Sequence, residues 1–145
     1  MKTVQYSIII KKPVYEVFQY IENPAHKPEW EEPVLEAKIT EGNTVKEGAT
    51  IEVKSQVLGR KFTARGKVIT YEENKKTSCI SSKPFNHVIT NTYEAVDGGT
   101  LFTRTGEADI DAVKKKFKFA SPMVVKIMES SLKQSAKKAK EILES

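Results

Sequence analysis

The sequence predicts an α+β fold: one curved, mainly antiparallel β-sheet wrapped around a long C-terminal helix, with two short helices after the first strand. Three observations carry this. A β-rich opening segment gives way at once to two short helical stretches, the chain then runs at period two from Val34 onward, and its end returns to helical spacing. Strands grouped apart from helices mark an α+β domain rather than alternating βαβ units. The length of 145 residues suits a single domain over 1–145, because cores of about 100–150 residues are the commonest size and need no disulfide or metal staple.

Thr3 to Ile10 reads as a strand, stopped by Lys12-Pro13, since proline cannot donate to a ladder and suits a helix start. Val14, Val17, Phe18 and Ile21 recur at helical spacing up to Asn23-Pro24, and a second short helix or turn, Ala25 to Trp30, is closed by Pro33. The six strands that follow are separated by hairpins, and the hairpins fix which side chains share a face. Val57-Leu58-Gly59-Arg60 sets Ile51, Val53, Ser55 and Val57 against Gly66, Ala64, Phe62 and Arg60. The turn at Glu73-Asn74-Lys75-Lys76 puts Val68 and Thr70 with Cys79 and Ser81. The Asp97-Gly98-Gly99 hairpin places Phe85, His87, Ile89, Asn91 and Tyr93 on one face with Phe102, Arg104, Gly106 and Ala108. The opposite face is rich in threonine and charge, as the water side of an antiparallel sheet is, so the first set points inward. Ala112 to Ala120 reads as a last edge strand, with Phe117 and Phe119 inward and Lys114, Lys116 and Lys118 outward to guard the edge. Ser121-Pro122 then starts the long helix, with serine able to cap. Its apolar stripe runs through Val125, Met128, Leu132, Ala136, Ala139 and Leu143. The surface open to that stripe is the inner face of the sheet, and a bent sheet gripping a helix often encloses a hollow.

Composition excludes several classes. Lys and Arg total 24 against 19 Asp and Glu, a net charge of +5, which a generic solvated surface explains. The stretch Tyr6 to Ile10 is far too short to span a bilayer, and no cleavage pattern follows it. The lone Cys79 excludes an internal disulfide and suits a reducing, cytoplasmic setting. His26 and His87 are far apart with no short-spaced ligand pair, so no metal or other cofactor is expected. Neither a phosphate-binding loop nor a nucleophile elbow is present. Nucleic acid is not an expected partner, because the basic residues lack an aromatic stacking platform and a reader motif. The basic 114–118 segment could touch an anionic lipid surface, but the edge-strand reading accounts for it. The sequence leaves monomer and homodimer equally open.

The run Ile10-Lys11-Lys12-Pro13-Val14-Tyr15-Glu16-Val17-Phe18, then Ile21-Glu22-Asn23-Pro24 and Trp30, Gly48 before Thr50 to Val57, the Asp97-Gly98-Gly99-Thr100 hairpin and the terminal amphipathic helix together resemble the START/Bet v 1-like (SRPBCC) superfamily, in its polyketide cyclase/dehydrase branch. The resemblance covers essentially the whole chain. It implies a helix-grip fold with a pocket for a lipid, sterol, polyketide or other apolar small molecule. Its members range from cyclases to pure binders and chaperone co-activators, so the fold alone does not assign a function.

The inner face is where chemistry is expected. His87, Asn91, Tyr93 and Arg104 are polar groups beside Phe62, Phe85, Ile89 and Phe102. A guanidinium there must be paired or lie in a wet cavity, and an apolar hollow with a few convergent polar groups is the usual make-up of a small-molecule site. The expected function is binding of a small apolar or amphipathic ligand between sheet and terminal helix. Phe62, Phe102, Ile89 and Met128 would bury it, and Arg104, Tyr93, Asn91 and His87 would orient its polar groups. Trp30 is either a core aromatic under the first helices or a pocket wall near the mouth. Burying a few hundred Å² at about 25 cal/mol per Å² supports micromolar affinity after association costs. The alternatives are a cyclase or aromatase using His87 or Tyr93 as acid or base, and an Hsp90 co-activator-like interaction module.

Overall fold

The computed structural model describes residues 2–57, 59–83, 85–117 and 121–145, without the side chains of Val57, Lys116, Phe117 and Ser121. Its strands are β1 (Lys2–Ile10), β2 (Val34–Glu41), β3 (Thr50–Val57), β4 (Arg60–Glu72), β5 (Lys76–Ser81), β6 (His87–Val96) and β7 (Gly99–Ala108). They form one antiparallel sheet in the order β1-β7-β6-β5-β4-β3-β2. The helices are α1 (Val14–Glu22), α2 (Lys27–Trp30), α3 (Ile110–Phe117) and α4 (Ser121–Glu144), with one 3-10 turn at Pro24–His26. This is the helix-grip arrangement.

Proline and asparagine punctuate the first connection as expected. Pro13 precedes α1, and the Asn23 side chain accepts from the Ala25 N–H at 3.0 Å to open the turn before α2. The hairpins give the expected registers: Val53 faces Ala64, Ile51 faces Gly66, Asn91 faces Arg104 and Tyr93 faces Phe102. The Thr70 placement is corrected. A register shift between Val68 and Thr70 pairs Thr70 with Ser78 and Tyr71 with Thr77, and such a bulge moves every later side chain by one position. Tyr71 therefore packs against the core in its place.

The edge strand expected over Ala112–Ala120 is also corrected, since residues 110–117 are helical. Asp109 caps that helix, its side chain accepting from the Ala112 N–H at 3.2 Å and its carbonyl from the Val113 N–H at 3.1 Å. Ile110, Val113 and Phe117 recur at helical spacing, and lysine suits a helix better than a strand. Lys114 and Lys115 are exposed on α3, whereas Lys118 and Phe119 lie outside the described residues, as does the capping role expected of the Ser121 side chain.

The interior has a solid end and a hollow one. At the solid end the second half of α4, through Ala136 and Ala139, joins Ile10, Val17, Phe18, Ile21, Trp30, Tyr93 and Phe102 in one cluster. The small alanines let α4 approach β1 closely. Ser135 fixes the helix by donating to the Glu32 carbonyl and accepting from the Glu32 N–H at 2.9 Å. A smaller cluster of Ala49, Ile51 and Val68 lies towards the other end of the sheet, and the first half of α4 overhangs the space between.

Candidate functional site

That space is a cavity of about 660 Å³, within the range of about 300–1,000 Å³ usual for small-molecule sites. Its walls are apolar: Ile51, Val53, Ala64, Val68 and Ile89 from the sheet, Val113 from α3, and Val124, Ile127, Met128 and Leu132 from α4. The turn spacing of α4 places these last four on one side, as i, i+3, i+4 periodicity dictates. Lys83, Met123 and Lys126 also line the cavity and are exposed, so it reaches solvent along them.

Its floor is a polar network drawn from five elements. Arg104 on β7 is 3% exposed and Asn91 on β6 is 5% exposed. Arg104 Nη1 donates to Asn91 Oδ1 at 2.9 Å, and Arg104 Nη2 forms a salt bridge with Glu31, just beyond α2. Lys27 Nζ reaches the other Glu31 oxygen at 2.9 Å, one helical turn away. Asn91 Nδ2 donates to Glu22 Oε2 at 3.1 Å, Thr77 Oγ1 from β5 donates to the same oxygen at 2.8 Å, and the Tyr93 hydroxyl donates to it as well. The Asn91 amide thus links a cation to an anion, which fixes its orientation: oxygen to the guanidinium, nitrogen to the carboxylate. The guanidinium carbon also lies 5.1 Å from the centre of the Trp30 ring.

Electrostatics keeps these groups in defined states. Burial works against the charge on Glu31, but the Arg104 and Lys27 cations and their hydrogen bonds outweigh it and hold its carboxyl at about 2. Burial, then the Glu22 carboxylate that accepts its proton, pushes the Tyr93 phenol well above its usual range. His87 is lowered by burial, against the opposing hydrogen bond of Nδ1 to the Phe85 carbonyl at 2.8 Å. It is therefore a neutral imidazole whose Nδ1 carries the proton. Burial also raises the Cys79 thiol to about 11, so it is not a nucleophile at neutral pH.

The depressed Glu31 value gives an acid-stability prediction. A carboxylate whose folded pKa is lowered contributes its stability above the unfolded value, near 4.5, and loses it as pH falls through the folded value, about 2. Urea unfolding between about pH 5 and about pH 2.5 should show stability falling by an amount on the order of 2–3 kcal/mol from this group. Glu31→Gln should flatten that fall. An unchanged slope in the variant would remove Glu31 as its source.

The residues expected at the site separate into groups. Arg104, Asn91, His87, Ile89 and Met128 line the cavity. The Tyr93 ring is in the core and contributes through its hydroxyl on Glu22. Phe102, fully buried, and Trp30, 1% exposed, are core residues beneath the floor. Phe62 lies further along β4, with the Arg60 guanidinium 5.8 Å from its ring. Sequence reasoning missed Glu22, Lys27, Glu31 and Thr77. Two signals bear on three of them: Glu22 closes α1, where the helix dipole disfavours an anion, and Lys27 and Glu31 sit at i,i+4 around a tryptophan. No local signal singles out Thr77.

The chain matches the family model described as polyketide cyclase / dehydrase and lipid transport over residues 1–144. It matches no curated protein by sequence. Among solved structures it is similar to a START superfamily protein from Mycobacterium smegmatis, with a TM-score of 0.76–0.78 spanning that protein and one from Mesorhizobium loti. The first is 13% identical, with 98% of this chain and 97% of that one covered; the second is 15% identical, with 99% and 97% covered. It also resembles the di-domain ARO/CYC BexL from the BE-7585A biosynthetic pathway, with a TM-score of 0.73, 12% identity, and 99% of this chain against 50% of that one covered. At such identities the likeness is one of fold.

Proposed function

The chain belongs to the polyketide cyclase / dehydrase and lipid transport family, and from that premise we propose that it binds a small apolar or amphipathic molecule in the cavity between the sheet and α4. One observation carries the reading: a hollow of about 660 Å³ with aliphatic walls ends on a buried, charged floor. A folded interior is ordinarily filled to close packing, and a buried ion pair does not by itself favour stability. A hollow ending on such a pair therefore suits a guest better than it suits the fold. Ile89 and Met128 provide apolar contact, while Arg104, Asn91 and His87 stand where a polar end would lie.

The test uses N-phenyl-1-naphthylamine, whose fluorescence rises in an apolar site. It should bind the wild-type protein, and Ala64→Phe, which drives a ring into the hollow from the concave face of β4, should weaken binding at least about tenfold while leaving the unfolding transition cooperative. Equal binding by the variant would place the probe elsewhere and overturn the reading. Native mass spectrometry of protein from its own host should show a retained small molecule.

His87 favours a second reading, a cyclase- or aromatase-type enzyme. It lines the cavity with Nδ1 committed to the Phe85 carbonyl, which leaves Nε2 as an unprotonated base. Tyr93, whose proton is held by Glu22, does not suit that role. Turnover of a poly-β-ketone substrate mimic that disappears in His87→Ala would favour this reading over binding alone.

A further inference from the structure

The floor of the cavity is not an open cationic site, and its bonding indicates which polar end a guest presents. Arg104 and Lys27 both already converge on Glu31, one to each oxygen. Glu22 is different. Its three donors, Thr77, Asn91 and Tyr93, all bind Oε2, and among the described residues no donor binds Oε1 and no cation forms a salt bridge with it. Glu22 lines the cavity. At the floor the guest therefore meets one carboxylate oxygen with acceptor capacity to spare, beside two cations that already share Glu31. Among the described residues Arg104 Nε is buried without a partner, and Lys83 and Lys126 stand exposed at the mouth.

Resting on the binding role proposed above, we propose that the cavity selects a neutral guest carrying a hydroxyl or phenol, whose O–H donates to Glu22 Oε1, and discriminates against guests ending in a carboxylate. A guest hydroxyl gives Glu22 Oε1 a charge-assisted hydrogen bond inside the cavity, where among the described residues no side chain supplies one. A guest carboxylate at the same place brings a second anion beside Glu22, where the two floor cations are already shared with Glu31 and Lys83 and Lys126 lie out at the exposed mouth, and close like charges in a poorly solvated site disfavour binding. An ether of the same skeleton fills the hollow equally well but has no proton to give.

Three naphthalenes of one skeleton separate these cases by displacement of N-phenyl-1-naphthylamine at pH 7: 2-naphthol, a neutral donor; 2-methoxynaphthalene, which has no donor; and 2-naphthoate, an anion. The naphthol should bind at least about tenfold tighter than the naphthoate and about threefold or more tighter than the ether. In Glu22→Gln, which removes the charge and keeps the shape, naphthol and naphthoate should draw to within about threefold of each other. The wild-type comparison stands alone if that variant fails to fold. Naphthoate binding as tightly as naphthol, or the ether matching naphthol, overturns the hydroxyl preference and leaves the cavity reading in place. If the probe does not enter the wild-type cavity, both fall together.

Discussion

Gly99→Ala should destabilise the protein by about 3 kcal/mol or more, a large share of the roughly 5–15 kcal/mol that holds a domain folded, and should move the urea midpoint far down. Gly99 has φ +153° and opens β7 where β1 passes into α1. A Cβ there would overlap the Ile10 carbonyl oxygen and lie 3.0 Å from both the Ile10 carbonyl carbon and the Lys11 Cα. These are backbone atoms, so nothing can rotate away. Relief requires β1 to leave β7, and that junction is held by the Thr100 hydroxyl donating to the Lys12 carbonyl at 2.8 Å and by Ile10, which is fully buried. The neighbouring Gly98 provides the control. Its φ is +85°, but an added Cβ meets nothing within 4 Å, so Gly98→Ala should cost only the left-handed strain of about 1–2 kcal/mol. Similar unfolding midpoints for the two variants would show that the close approach to Ile10 is not what requires glycine.

That contrast also shows where sequence reading reaches its limit. Asp97-Gly98-Gly99 is legible as a hairpin because the flanking residues alternate, and its register, with Tyr93 against Phe102 and Asn91 against Arg104, follows from turn length alone. That the second glycine serves a different strand, β1, depends on a contact across 89 positions, which no local pattern carries. The same division holds at the site. Arg104, Asn91, His87 and Ile89 could be placed on the inner face because a strand has period two. Glu22, Lys27 and Glu31 could not, because they come from α1 and its following turn, whose approach to the sheet is set by packing of Phe18, Ile21 and Trp30 on Tyr93 and Phe102. The segment after β7 misled for a related reason. Lys114 to Phe119 alternates like a strand, but Asp109 stands one residue before Ile110 and supplies a cap, and a capped turn with apolar spacing of three and four favours helix. A bulge at Val68–Thr70 is likewise invisible to a parity argument, since one unpaired residue changes the face of everything after it.

Glu31→Leu should cost about 3–5 kcal/mol, because it strands the Arg104 guanidinium, 3% exposed, without its carboxylate. Asn91 remains on Nη1, but a neutral amide oxygen does not balance the charge. Lys27 suffers less, since its side chain retains 15% exposure and can turn towards water. Replacing both partners, as Glu31→Leu with Arg104→Met, removes the buried charges together, and an apolar pair of similar volume is commonly neutral or stabilising relative to a buried salt bridge. The double variant should therefore be more stable than Glu31→Leu alone, with a coupling of about 2 kcal/mol or more in a double-mutant cycle followed by urea unfolding. Additive losses would show that Arg104 is balanced by something other than Glu31. The double variant also separates the two parts of the cavity. Its walls are unchanged, so N-phenyl-1-naphthylamine should still enter, whereas the Asn91 amide loses the cation that orients it and with it the geometry of Glu22. Fold and apolar capture would then persist while discrimination among polar guests declines, which is the expected behaviour of a charged floor retained for recognition and not for stability.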